Sequence, residues 1–207
     1  MHYEILDEKR SAILPLLNVF KDQFYLAGGT GLALQIGHRD SVDFDFFSQT
    51  EINTSAVFEQ TAKAFAGHKI IKAQEEAGTL TVFIDDSLKL SFFFYPYELV
   101  NSLISEPYLN IASIEDIACM KLSAITGRGT NKDYIDLYYI LKMTPLKDIL
   151  SALSKKLPGL DENLVLKSLV FFDDLVMEPI NFKSGGQIDF EEIKDFLKNQ
   201  VKKIAFP

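Results

Sequence analysis

Leu26-Ala27-Gly28-Gly29-Thr30-Gly31-Leu32-Ala33-Leu34, followed by His38-Arg39-Asp40-Ser41-Val42-Asp43-Phe44-Asp45-Phe46-Phe47, is the stretch that decides the reading of this chain. Its first part runs from a short apolar segment, Phe24 to Ala27, through two adjacent glycines into a helical pattern over Thr30 to Ile36, with Thr30 as the expected N-cap. Adjacent glycines open backbone conformations closed to other residues and let a ligand approach the main chain. The helix end behind them offers free N–H groups and the positive end of a dipole, so Gly28, Gly29 and Thr30 form a candidate phosphate cradle. A simple tight turn would use the same glycines. The second part alternates strictly from Val42 to Phe47, the mark of a strand with two faces. Asp43 and Asp45 then share one face, about 6.6 Å apart along the strand, while Phe44 and Phe46 enter the core. Two carboxylates this close repel unless a cation lies between them. Hard oxygen ligands favour Mg²⁺ (or Mn²⁺), with substrate phosphates completing its shell. Acids on a half-exposed strand facing water are the plainer alternative.

Around this stretch the pattern is mixed to about residue 110 and helical beyond it. Glu8 to Phe20 reads as a helix interrupted by Pro15, Thr54 to Ala66 as another, and His68 to Lys72 as a strand. Thr79 to Ile84 and Leu88 to Tyr95 flank Asp85-Asp86-Ser87 as a β-hairpin. From Ser113 the period is helical: Ser113 to Ile125, Asn131 to Met143, Pro145 to Lys156, Asp161 to Phe172 and Asp189 to Ile204. The expected organisation is an α/β domain over 1–110 and a helical domain over 111–207 that completes a cleft between them.

Charge and composition exclude several classes. The 207 residues carry a net charge of -8, with 17 Phe, 8 Tyr and no Trp, an aromatic-rich composition incompatible with disorder. Residues 1–110 hold eight basic and fifteen acidic side chains, so the acidity lies almost wholly there. A globally acidic chain is a poor non-specific binder of nucleic acid, and DNA is not expected as a partner. The single cysteine, Cys119, cannot close an internal disulfide and fits a reducing compartment. The N-terminus MHYEILDEKR has no apolar run of the signal-peptide kind, and the longest apolar stretches are far short of a membrane span. The expectation is a cytoplasmic protein without membrane contact.

A third group of polar residues lies in the helical part. Lys121, Ala124 and Arg128 fall at i, i+3 and i+7, one face of a helix, and Asp133 and Asp136 fall at i and i+3. Each is also compatible with a solvated charged stripe. Lys194, Lys198 and Lys202 form a further stripe opposite Phe190, Ile193, Leu197, Val201 and Ile204; it is either a solvated face or a contact for an RNA acceptor.

The three segments in this order resemble the AbiEii/AbiGii toxin family, a branch of the DNA polymerase β-like nucleotidyltransferases. The family's GGTALAL pattern is matched at 28–34 except for Gly31 in place of its first alanine, and its HRxSxDxDxF pattern is matched at 38–47. Its K-x-x-A, Arg and D-x-x-D elements are matched at Lys121-Leu-Ser-Ala124, Arg128 and Asp133-Tyr-Ile-Asp136. The resemblance covers residues 24–142. It implies an α+β fold, a mixed sheet with flanking helices followed by a helical C-terminal part. It also implies transfer of a nucleotide from an NTP to an acceptor, with the 3′ end of tRNA leading, and a separately encoded antitoxin as partner. Asp43 and Asp45 would hold the metal; Lys121 would bind triphosphate oxygens; Arg39, Ser41 and Arg128 would help orient the nucleotide. Asp133 or Asp136 would be the essential carboxylate of the helical part, and all four aspartates are candidate catalytic groups. One departure is visible. Relatives with two metals add a third carboxylate on a later strand, and Leu88 to Tyr95 contains no acid, with Lys89 and Ser91 at the positions facing the site. Toxin-like relatives tend to lack that acid too. A small-molecule (antibiotic) nucleotidyltransferase and a non-catalytic nucleotide-binding module are the alternatives with the same fold.

Overall fold

The structure is a computed structural model that describes residues 1–183 and 187–205, with Arg128 described by its backbone only. A seven-stranded mixed sheet with flanking helices confirms the expected α+β class. The first helix, α1 (Glu8–Leu17), starts on Asp7, whose carboxylate accepts from the Arg10 amide. It stops short of the expected end at Phe20. A 3₁₀ turn over Asn18–Phe20 replaces its last turn and places Phe20 in the core, 4.8 Å from the Phe92 ring and 5.8 Å from Phe46.

Strand β1 (Tyr25–Ala27) runs directly into helix α2 (Gly28–Ile36). The helix begins at Gly28, not at Thr30, because Gly28 takes φ +63°, a conformation that turns the chain at once and that favours glycine. Thr30 is therefore not an N-cap. It is buried in the first turn, where its hydroxyl lies 2.8 Å from Ser41 Oγ and donates to the Asp43 carbonyl, tying the loop before the next strand to the helix.

Strand β2 (Phe44–Ser48) pairs with β1 antiparallel. Helix α3 (Thr54–Ala64) leads to β3 (Ile70–Glu76), β4 (Thr79–Ile84) and β5 (Leu88–Phe94). The β4–β5 turn is the expected one, with Asp85 and Asp86 both at positive φ. Two short strands, β6 (Ile104–Ser105) and β7 (Asn110–Ile111), escape the periodicity because two residues carry no period, and β7 pairs parallel with β1. The sheet order is β3-β4-β5-β2-β1-β7-β6, which puts β2 in the middle between β5 and β1.

Phe44 and Phe46 face one core with Leu26, Leu90, Phe92, α1 and Phe65. The opposite face, through Tyr25 and Ala27, meets a second core built with Leu32 and the helices α4 (Ile114–Arg128), α5 (Asn131–Leu141) and α6 (Leu146–Lys156). Helix α7 (Glu162–Ser168) ends four residues before the expected Phe172, where Tyr134 Oη lies 3.0 Å from the carbonyls of both Ser168 and Phe171. Helix α8 (Phe190–Ala205) closes the chain. No helix among the described residues is long and apolar enough to cross a membrane.

Candidate active site

The alternation of β2 sets the site face of the sheet. Asp45 lies opposite Ala27 on β1 and Ser91 on β5, so it sits at the centre of the sheet and points at the helical part. The main chain comes close here, since a Cβ on Gly28 would lie 3.0 Å from Asp45 Oδ2. Burial raises the Asp45 pKa above the usual carboxylate value; Lys89 opposes that and Asp43 adds to it. Asp43, one pleat earlier, is about half exposed and lies 3.5 Å from the Lys89 ammonium.

Helices α4 and α5 supply the other wall. Helix α5 begins with a capping box: the Asp133 carboxylate accepts from the Thr130 amide at 2.9 Å, so its position is set by the helix end itself. Three residues on, Asp136 has no exposed surface. It accepts from Arg39 Nε at 2.7 Å, Arg39 Nη2 at 2.8 Å and His38 Nε2 at 2.7 Å, and pairs with Lys121 Nζ at 2.7 Å. Lys121 also bonds Asp133 at 2.8 Å.

Electrostatics follow from this cluster. Burial alone would raise the Asp136 pKa, but Lys121, Arg39 and His38 outweigh it and hold the carboxyl well below its usual range. Burial alone would discharge Lys121, but Asp136 and Asp133 keep its ammonium charged. His38 goes the other way: desolvation dominates and lowers its pKa.

The cleft between these walls has a volume of about 410 Å³. Gly29, Arg39, Ser41, Asp43, Asp45, Lys121 and Asp133 line it, so the three sequence segments do converge. Gly28, Thr30 and Asp136 do not line it; they lie behind the wall and hold it. The Arg128 side chain falls outside the described residues. The buried Arg39 guanidinium is committed to Asp136, and Gly29 leaves room for it, since a Cβ there would overlap Nη2. Among the described residues no group of three or more His, Cys, Asp or Glu side chains comes together as a metal cage. The cleft offers instead the Asp43–Asp45 pair, which fits a hard cation that takes its remaining ligands from water and phosphate oxygens. As read, no acid stands on β5 at this face.

Part of the site was not visible in the sequence. Residues Glu178 to Asn181 form an irregular strap across the cleft, and Thr130 and Lys132 join the wall. The Asn131 side chain grips Glu178 in both directions, donating to its carbonyl at 2.8 Å and accepting from its amide at 2.9 Å. Lys132 pairs with Glu178 at 2.6 Å. Further on, the Asp40 amide donates to Asn181 and the Lys183 amide to His38, a short antiparallel bridge between Arg39 and Phe182. The strap has no periodicity to detect, and Pro179 marks extended chain without placing it. The lysine stripe of α8 reads as structural at its start: Lys194 lies 5.5 Å over the Phe190 ring and pairs with Glu191.

Comparison with known proteins gives the family and the fold. The family model described as "Nucleotidyl transferase AbiEii toxin, Type IV TA system" matches residues 16–206. An uncharacterized protein of Aquifex aeolicus is 35% identical over 205 residues, covering 94% of this chain and 95% of that protein. Solved structures with a similar fold include MenT4 and JHP933. MenT4, a nucleotidyltransferase toxin of Mycobacterium tuberculosis, has a TM-score of 0.61 at 14% identity, over 95% of this chain and 82% of that one. JHP933 of Helicobacter pylori has a TM-score of 0.58 at 20% identity, over 99% and 93%.

Proposed function

The chain belongs to the AbiEii family of nucleotidyl transferase toxins, and from that premise we propose that it moves a nucleotidyl group from an NTP to the 3′ end of a tRNA. In this reading it is the cytoplasmic toxin of a type IV toxin–antitoxin pair, restrained by a cognate antitoxin protein. Residues 1–110 supply the phosphate and metal groups, and residues 111–207 the lysine and the second carboxylate wall.

The observation that supports it best is the convergence of Asp43, Asp45, Lys121 and Asp133 on one cleft of about 410 Å³. Asp43 and Asp45 would hold Mg²⁺, which when bound neutralises charge on the reacting phosphate. The Gly29 backbone and Ser41 are at hand for triphosphate oxygens, with Lys121 as a fixed point charge. The acceptor hydroxyl oxygen attacks the α-phosphorus and forms a new O–P bond. The bond from that phosphorus to the bridging oxygen breaks, and pyrophosphate leaves with the electron pair. The hydroxyl proton passes to Asp133, the carboxylate of the D-x-x-D pair that reaches the cleft. Asp136, enclosed by two cations and the His38 ring, positions Lys121 and Arg39.

The test is transfer of label from each of four α-labelled NTPs onto total tRNA, beside a panel of small acceptors such as aminoglycosides. Labelled tRNA, lost in Asp43→Ala together with growth inhibition in cells, supports the proposal. Label on a small acceptor alone would move the assignment to antibiotic modification.

A further inference from the structure

The charges on the site face do not sum to a place for two metal ions. Asp133 and Asp136 are matched by Lys121 and Arg39, Asp40 by Lys183, and Lys132 by Glu178. That leaves Asp43 and Asp45, and against them stands Lys89. The sheet register explains why. Asp45 lies opposite Ser91 and Phe47 opposite Phe93, so on the same face Asp43 is flanked by Lys89, with Nζ 3.5 Å from Oδ2. Phe47 and Phe93 stack at 5.1 Å, which confirms that this row of residues shares one side. The position that could hold a third carboxylate is Ser91, which is buried and hydrogen-bonded to Asp45.

The ion pair of Lys89 contributes little to the fold. Its two side chains are 35% and 44% exposed, and at that exposure water screens a single pair. Among the described residues Asp43 is its one ion-pair partner. The ammonium is therefore held loosely, at the rim of the carboxylate pair. Two carboxylates and one ammonium leave one negative charge, which a single divalent cation turns into one positive charge facing the triphosphate.

We propose that this site works with one divalent cation, and that Lys89 is its second positive group, moving from Asp43 onto a non-bridging phosphate oxygen when the nucleotide binds. The proposal rests on the nucleotide-transfer reading above and adds to it the metal count and a nucleotide-binding residue. A second cation next to Lys89 would face its charge at close range, with Ser91 in place of a carboxylate to offset it.

The experiment is Mn²⁺ binding to the full chain, followed by electron paramagnetic resonance without nucleotide and with a non-hydrolysable NTP analogue, beside nucleotide transfer. Wild type should bind one Mn²⁺ per chain. Lys89→Met should bind Mn²⁺ about tenfold more tightly, because a nearby like charge is gone, and should lose at least about tenfold in transfer, chiefly as a raised KM for the NTP. Lys89→Arg keeps the charge and should stay within a few-fold of wild type in both. Two Mn²⁺ per wild-type chain, or a Lys89→Met protein with unchanged Mn²⁺ affinity, would overturn the proposal. Asp43→Asn separates the two readings. If it abolishes Mn²⁺ binding while Lys89→Met matches wild type, the proposal falls and the nucleotide-transfer reading stands. If wild type itself binds no Mn²⁺, the metal-dependent reading falls with it.

Discussion

Arg39 meets Asp136 edge to edge, with Nε 2.7 Å from Oδ1 and Nη2 2.8 Å from Oδ2, both groups shut away from solvent. The two residues are 97 positions apart, and their pairing joins the loop before β2 to helix α5. A planar guanidinium fork fits a carboxylate in two parallel bonds, so the contact fixes direction as well as distance. It also explains how two aspartates three residues apart come to different jobs. Asp136 anchors two cations, and Asp133 faces the cleft.

That division is measurable. Asp136→Asn leaves Arg39 buried without its anion and Lys121 with Asp133 alone, and should cost about 3–5 kcal/mol of unfolding free energy in a denaturant titration. Asp133→Asn can still accept at the helix cap, so it should cost less than about 1 kcal/mol, yet reduce transfer at least about a hundredfold. Equal stability losses in the two variants would show that the roles are not divided in this way.

The same cluster sets a pH dependence in two steps. The depressed pKa of His38 means that the unfolded chain binds its proton first. Its contribution to stability is present above the ordinary histidine value of about 6.5 and is lost as pH falls below it. Asp136 has a native pKa well below the carboxylate range, so its contribution is full above about pH 4 and is lost at lower pH. Unfolding midpoints measured from pH 8 to 3 should fall in both windows. His38→Gln should remove the upper step and leave the lower.

Asp45 should trade stability for function. Burial and the neighbouring Asp43 disfavour its charged form and raise its pKa. Asp45→Asn removes that cost, so the thermal midpoint should rise by a few degrees while transfer disappears. A lower midpoint for this variant would mean that Asp45 serves the fold.

The two glycines should respond differently. Gly28→Ala places a side chain at φ +63° and 3.0 Å from Asp45 Oδ2, at a cost of about 1–3 kcal/mol. Gly29→Ala meets the pinned guanidinium of Arg39, which cannot swing aside without leaving Asp136. Its transfer should fall even where its thermal midpoint stays close to that of Gly28→Ala.

The strap gives one more handle. Asn131→Ala removes both bonds to the Glu178 backbone. Hydrogen exchange at the Glu178 amide should accelerate, and the KM for the NTP should rise with little change at the Asp116–Lys156 ion pair in the distant core.

Much of this site was legible one segment at a time. Strict alternation from Val42 to Phe47 assigns Asp43 and Asp45 to one face, because side-chain direction follows the backbone repeat. The spacing of Lys121, Asp133 and Asp136 assigns each to a helix face for the same reason. The reading of Thr30 as a cap failed because a glycine with positive φ started the helix two residues earlier. The strap at 178–181 was illegible because irregular chain carries no period.

The sequence by itself determined the type of fold, the order of the three segments and which residues could share a face, since those depend on local repeats of the backbone. The tertiary structure alone decided which of those faces became interior. Locally only the capping box sets Asp133 apart from Asp136, and it does not say which carboxylate is buried; one lines the cleft and the other is sealed. The difference arises because Arg39, His38 and Lys121, brought from other parts of the chain, close around Asp136 and leave Asp133 at the cleft wall.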